Sequence, residues 1–148
     1  MAFFLVSLFS LFLFLSSSAT ACDRCLHQSK ASFFSKASSL SAGACDYAEL
    51  ALSLSAGNLA AAVPSIFKDG ASCGACFQIR CKDPKVCSKS GTRVVVTDLN
   101  RDNKTDFVLS SRAFQSLAVK GKAQYLLKLG ILDIEYKRYN ANQFNQKI

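Results

Sequence analysis

Cys73-Gly74-Ala75-Cys76-Phe77-Gln78-Ile79-Arg80-Cys81 places three cysteines in nine residues, with Cys87 close behind. Such a cluster holds metal or runs redox chemistry in a reducing compartment, and closes disulfides in an oxidising one. The N-terminus decides between these readings. Residues 1–21 carry no Lys, Arg, Asp or Glu, and a mostly apolar run over residues 2–15 gives way to Ser16-Ser17-Ser18 and Ala19-Thr20-Ala21. An apolar region ending in a small-residue Ala-x-Ala site is the pattern of an export signal, with cleavage expected between Ala21 and Cys22. About 14 apolar residues fall short of the ~20 that a membrane span needs. No later stretch is longer or more apolar, so no membrane association is expected after cleavage. The cysteines therefore read as a disulfide framework in a secreted, extracellular protein.

Eighteen Lys and Arg stand against ten Asp and Glu, a net charge of +8. All of these residues follow the signal segment, so the charge belongs to the exported part. Outside the cell, an acidic polysaccharide or another anionic surface is the natural counterpart of such a balance. The basic residues are scattered, as at Lys82, Lys85, Lys89, Arg101, Lys104, Lys120, Lys122, Lys128, Lys137 and Arg138. No basic cluster interleaves with aromatics, which argues against a nucleic-acid partner.

Residues 22–148 are long enough for one domain with its own core. They show no internal repeat and no Pro-rich or Gly/Ser linker; Pro occurs only at Pro64 and Pro84. Residues 76–81 and 92–97 read as strands, the second with Val94-Val95-Val96 as a buried run. Leu132, Ile134 and Tyr136 alternate with Asp133, Glu135 and Lys137, the period of a half-exposed strand. An apolar segment over residues 59–63 ends at Pro64. Ser110-Ser111-Arg112-Ala113-Phe114-Gln115-Ser116-Leu117-Ala118 predicts a short helix with Ser110 or Ser111 as its N-cap. The pattern is that of a mostly β barrel with one or two short helices. Phe33, Phe34, Phe67, Phe77 and Phe107 are its candidate core aromatics.

Several ordered motifs carry a family resemblance. Gly43-Ala44-Cys45-Asp46-Tyr47, Ser65-Ile66-Phe67-Lys68-Asp69-Gly70, the cysteine cluster, Thr97-Asp98-Leu99 and Leu109-Ser110-Ser111-Arg112-Ala113-Phe114 together resemble the first domain of plant expansins. Cys22-Asp23-Arg24-Cys25 and Asp106-Phe107-Val108-Leu109-Ser110-Ser111 point to the expansin-like A branch. The resemblance covers residues 22–138. It implies a six-stranded double-psi β-barrel, similar to that of glycoside hydrolase family 45, with an open groove for wall glucans. It also implies Cys45–Cys73 and Cys81–Cys87 disulfides. Loops of these sizes contribute about 2 to 4 kcal/mol each in the chain-entropy model. Cys76 would be left as the free thiol, able to join two copies of a chain otherwise expected to be a monomer. Cys22 and Cys25 either bond each other or lack partners. Zinc held by both Cys-x-x-Cys pairs is disfavoured by their separation and by the oxidising compartment.

Two departures from the family pattern bear on function. Where most expansins read His-Phe-Asp, this chain reads Asp106-Phe107-Val108, so the family's essential carboxylate aligns with Val108. The second, β-sandwich domain credited with cellulose binding is not expected here, residues 139–148 reading as a divergent Asn/Gln-rich tail. Glycoside hydrolysis needs two carboxyl groups flanking the scissile bond, and Asp98, Asp102 and Asp106 are the candidates. Asp98 suits a sugar hydroxyl or a loop contact, whereas Asp102 and Asp106 read as solvated loop charges. Trp, the best stacking side chain for a glucan, is absent. Tyr47, Thr97, Asp98, Asn100 and Asp106 are the candidate polysaccharide-groove residues. No catalytic residue, metal or cofactor is expected. Asn103-Lys104-Thr105 is an N-glycosylation sequon. The expected function is non-catalytic association with wall polysaccharide. The alternative is a small apoplastic signalling or defence protein on a barwin-like or natriuretic-peptide-like single barrel.

Overall fold

Alternation of side chains across a strand decides which residues of this chain enter the core. In Cys76–Cys81, Phe77, Ile79 and Cys81 are buried while Cys76, Gln78 and Arg80 stay partly exposed, as period-two patterning requires. The computed structural model describes residues 25–35 and 42–139. They form strands β1 (His27–Phe34), β2 (Leu59–Ala62), β3 (Cys76–Cys81), β4 (Thr92–Leu99), β5 (Phe107–Ser110) and β6 (Leu132–Tyr139). Short helices α1 (Leu50–Ser53), α2 (Pro64–Phe67), α3 (Ser111–Ser116) and α4 (Ala123–Leu129) fill the connections. The expected export signal, its cleavage site, Cys22 and the tail from residue 140 onward lie outside the described residues.

The strands close into one barrel in the order β1-β5-β2-β4-β3-β6. Two neighbouring pairs are parallel, β1 with β5 and β2 with β4, and the other contacts are antiparallel. Closure leaves no free strand edge, which matters for strands as short as four residues. The expected strands at 76–81, 92–97 and 132–137 are present, the last two each extended by two residues at their C-terminal ends. The apolar segment from residue 59 is a strand buried along its whole length.

Size complementarity organises the core. Phe107 is fully buried, with Ala31 beside it on β1 and Ala62 on β2. Small residues on both flanks leave the ring room to reach the barrel axis. There it meets Tyr136 at 4.9 Å and Phe77 at 5.5 Å between ring centroids, both edge-on. Edge-to-face contacts of this kind suit the quadrupoles of aromatic rings. Phe33 packs on Phe114 of α3 at 4.8 Å. Of the other expected core aromatics, Phe67 is buried and Phe34 is partly buried against a second, smaller cluster.

Ser110 joins three elements. Its hydroxyl oxygen accepts from Ala113 N–H at 3.3 Å as the α3 N-cap and from Leu59 N–H at 3.2 Å. The same hydroxyl donates to the Gly57 carbonyl at 2.9 Å. An N-cap of this kind satisfies one of the donors a helix start leaves unpaired. α4, which the sequence reading did not single out, ends at Gly130, whose φ of 74° a residue with a Cβ rarely adopts.

Both expected disulfides are formed. Cys45–Cys73 ties the loop before α1 to the approach to β3, and Cys81–Cys87 staples the end of β3, with Cα separations of 5.6 and 5.5 Å. Cys25 is also disulfide-bonded. Cys76 is free and half-buried on the outer face of β3, between Val95 and Tyr139 in register.

Two outcomes are expected from this core. Phe107→Ala should lower stability by about 3 to 5 kcal/mol, and Ala62→Leu by about 1 to 3 kcal/mol through overpacking, both read from urea denaturation. In thiol labelling of the unreduced protein followed by peptide mapping, Cys76 should carry the label while Cys45, Cys73, Cys81 and Cys87 do not.

Candidate functional site

A β-bulge sets the face on which the candidate residues meet. β2 and β4 pair Leu59 with Val95 and Ala60 with Val96, and then Ala61 with Asp98, so Thr97 is the extra residue. Val94 and Val96 point into the main core. Without the bulge, Asp98 would follow them inward; with it, the carboxylate turns to the outer wall. Ala61 also pairs with Val108, and Val108 with Ser32. Asp98, Ala61, Val108 and Ser32 therefore form one row across four strands. Two strand spacings put Asp98 and Val108 roughly 10 Å apart at their Cα atoms.

Glycoside hydrolysis asks for two carboxyl groups flanking the scissile bond. In this row Val108 carries no carboxyl group, and the Asp98 carboxylate is held by backbone N–H groups. Val108 is 8% exposed and packs with Leu59, Ala61 and Ala51 of α1, covered further by Phe34, Tyr47 and Leu54. Asp98 accepts from the Ala44 and Leu99 N–H groups, each at 2.7 Å. It thereby anchors the loop that leads to Tyr47, which Cys45 reinforces by donating its N–H to the Thr97 carbonyl at 3.1 Å. The approach is so close that a Cβ on Gly43 would lie 2.5 Å from the Asp98 Cβ. Glycine is required there for space.

The other candidate residues fall around this row. Tyr47 lies half-buried over the apolar cluster, its hydroxyl toward Gly74, where an added Cβ would approach it to 2.8 Å. Thr97 is 1% exposed, and its hydroxyl has no hydrogen-bond partner among the described residues. Asn100 is buried and works within its own loop: its amide donates to the Thr105 carbonyl at 2.6 Å and accepts from Asp102 N–H at 3.0 Å. Asp102 is exposed and accepts from Lys104 N–H. Asp106 sits on the far side of β5, against β1, where it accepts from the Ser29 hydroxyl at 2.6 Å. Tyr47, Thr97 and Asp98 thus share one region, Asn100 braces the loop beside it, and Asp106 belongs to a neighbouring one.

Asn103 is exposed in the same loop, whereas Thr105 is buried with its hydroxyl donating to the Phe107 carbonyl at 3.0 Å. The hydroxyl that a glycosylating enzyme must reach is accessible only before this loop folds. Burial, with a smaller contribution from Asp106, raises the Tyr136 hydroxyl pKa above its ordinary value. The Lys30 ammonium bonded to Asp133 lowers that carboxylate's pKa. Lys30, Asp133 and Ser29 were not singled out from sequence, since partners 103 and 77 residues apart leave no local spacing signal.

The interlocked parallel pairs and closed six-stranded order define a double-psi β-barrel protein. Residues 59–136 match the family model described as "Lytic transglycolase". Expansin-like A3 of Arabidopsis thaliana is 62% identical over 141 residues, covering 94% of this chain and 53% of that protein. Expansin-like A1 of the same plant is 57% identical over 150 residues, covering 100% and 56% respectively. The chain belongs to the expansin-like A family. It spans about half the length of these curated relatives. Among solved structures, the apo expansin of Clavibacter michiganensis superposes with a TM-score of 0.58 at 18% identity, over 79% of this chain and 52% of that one. A mutant of that expansin, solved in complex with cellohexaose, gives the same TM-score and identity over 78% and 51%. At this identity the likeness speaks for the fold.

Two measurements check this geometry. Asp98→Ala should cost about 1 to 3 kcal/mol, because two backbone donors lose their charged acceptor. A tyrosine pKa raised by folding contributes stability below the unfolded value near 10, and that contribution is lost as pH rises through the folded value. Wild-type stability should accordingly fall above about pH 10, more steeply than in Tyr136→Phe, as read from denaturation midpoints across an alkaline series.

Proposed function

We propose that this chain is a secreted expansin-like wall protein that associates with plant cell-wall polysaccharide and does not cleave it. One observation carries the non-cleaving part: the Asp98–Ala61–Val108 row holds valine at one position and, at the other, a loop anchor whose Oδ1 takes both the Ala44 and the Leu99 N–H groups. General acid–base work needs a carboxyl group free to exchange a proton with the sugar. A buried valine cannot do so, and Asp98 already accepts from two N–H groups at 2.7 Å. A shared barrel does not by itself fix the chemistry, which depends on the side chains of the site.

Association with polysaccharide is supported by membership of the expansin-like A family and by the cellohexaose complex of the Clavibacter protein. Tyr47, with its ring over the apolar cluster, and the exposed Leu50 and Leu52 beside it offer an apolar surface for a sugar ring. Secretion is supported by the signal pattern of residues 1–21 and by the disulfides, which form in oxidising compartments. The identity to expansin-like A proteins weighs against the signalling or defence alternative. Asn103 is the proposed glycan acceptor.

The test uses the secreted protein and purified wall fractions. Retention on the fractions, with no new reducing ends from cellulose, xyloglucan or mixed-linkage glucan, is the expected result. Hydrolysis that disappears in Asp98→Asn would overturn the non-catalytic reading, and failure to be retained would overturn association. N-terminal sequencing of the same material should begin at Cys22, and glycosidase treatment should shift its mass through Asn103.

A further inference from the structure

Beside the row that carries Val108, a separate cleft of about 380 Å³ opens on the outer wall of β1. Its charged and polar lining includes Gln28, Lys30, Lys82, Lys104, Asp106 and Asp133. The fold brings these together from four places. Lys30 and Asp133 face outward from paired positions on β1 and β6. Lys82 follows β3 and is held next to them, its N–H donating to the Asp133 carbonyl at 3.1 Å. Lys104 and Asp106 come from the loop before β5, pinned by the Asp106 N–H on the Lys30 carbonyl at 3.1 Å.

Both carboxylates in the cleft are already engaged. Asp133 pairs with the Lys30 ammonium at 2.6 Å, and Asp106 accepts from Ser29 at 2.6 Å. Lys82 and Lys104 make no ion pair among the described residues. Three ammonium groups therefore face two carboxylates, one ion-paired and one hydrogen-bonded with its charge kept, an excess of one positive charge. Lys82 and Lys104 come from opposite flanks of β1, the β6 side and the β5 side. Three strand spacings separate their backbones, roughly 14 Å. A small anion can neutralise one of them. Only an extended ligand with repeated negative charge meets both, and it would lay its hydroxyls against Gln28 and Ser29 between them.

We propose that this cleft binds an acidic polysaccharide through sugar carboxylates, with Lys82 and Lys104 holding two uronate groups of one chain. The proposal rests on the polysaccharide reading above and names the substrate class. It gives part of the net charge of +8 a defined ligand. Ion pairs on an exposed wall weaken with salt, so binding should fall between low and physiological ionic strength.

Calorimetric titration of the secreted chain with a galacturonate hexamer, cellohexaose and inorganic phosphate tests it. The hexamer should bind at low salt, more tightly than either other probe. Lys82→Gln with Lys104→Gln should weaken that binding by about tenfold or more, as loss of two charge-assisted contacts implies. The control pair Lys120→Gln with Lys128→Gln removes the same charge at residues outside the cleft lining and should change it less than about threefold. Lys104→Gln leaves the Asn103 sequon intact. Equal losses in both double variants would reduce the cleft to diffuse charge and overturn the proposal. Absence of hexamer binding, or phosphate binding as tightly, would also overturn it. Retention on wall fractions without hexamer binding would sink the cleft alone. Hexamer binding with the expected variant pattern, but no wall retention, would support the cleft while the broader function fails.

Discussion

Phe107 between Ala31 and Ala62 is the contact on which the barrel depends. The ring fills the axis because both neighbouring strands present a methyl group opposite it. It then meets Tyr136 and Phe77 edge-on, tying β5 to β6 and β3 across the interior. Interiors are packed to near-crystalline density, so such a large-small-large arrangement tolerates little change in volume. Alternation on β5 follows directly: with Phe107 and Leu109 inward, Val108 must face out. The orientation of the candidate site is thus a consequence of core packing.

A second local feature, the bulge at Thr97, decides what shares that outer face with Val108. It turns Asp98 outward into the same row, and the carboxylate is then taken up by the Gly43-Ala44 loop. α1 and Leu54 close over the other end of the row with Tyr47 and Phe34. The result has the framework of a two-carboxylate site, but its geometry serves to position a loop and an apolar surface.

The molecule's charge is distributed with a comparable economy. Lys30 with Asp133, and Arg80 with Glu135, are paired on the outer face at 2.6 Å each. Arg93 stacks on the Tyr139 ring at 4.1 Å, a cation–π contact that holds the end of β6 to β4. Exposed pairs of this sort add little stability. Their consequence is electrostatic: they offset the Asp133 and Glu135 charges in place, while Lys82 and Lys104 make no ion pair among the described residues.

Much was legible in the chain itself. Alternation in residues 76–81 and 132–137 shows strands, because one face of each must be buried. Ser110 or Ser111 reads as a cap from side-chain chemistry, and the family resemblance implies which disulfides close. The motifs also singled out Asp98 and Val108, which the structure sets in one row on the outer wall. Other features depend on contacts between distant segments. Parallel pairing of β1 with β5 and β2 with β4 joins segments far apart in sequence, and no local period encodes it. β1 itself, polar along half its length, becomes a strand because β5 and β6 complete its hydrogen bonds. The one-residue bulge that aims Asp98, the loop that takes up its carboxylate, and the cleft between Lys82 and Lys104 exist only after the barrel has closed. Side-chain direction and the company a charge keeps are set by neighbours across strands, and only the tertiary structure supplies those neighbours.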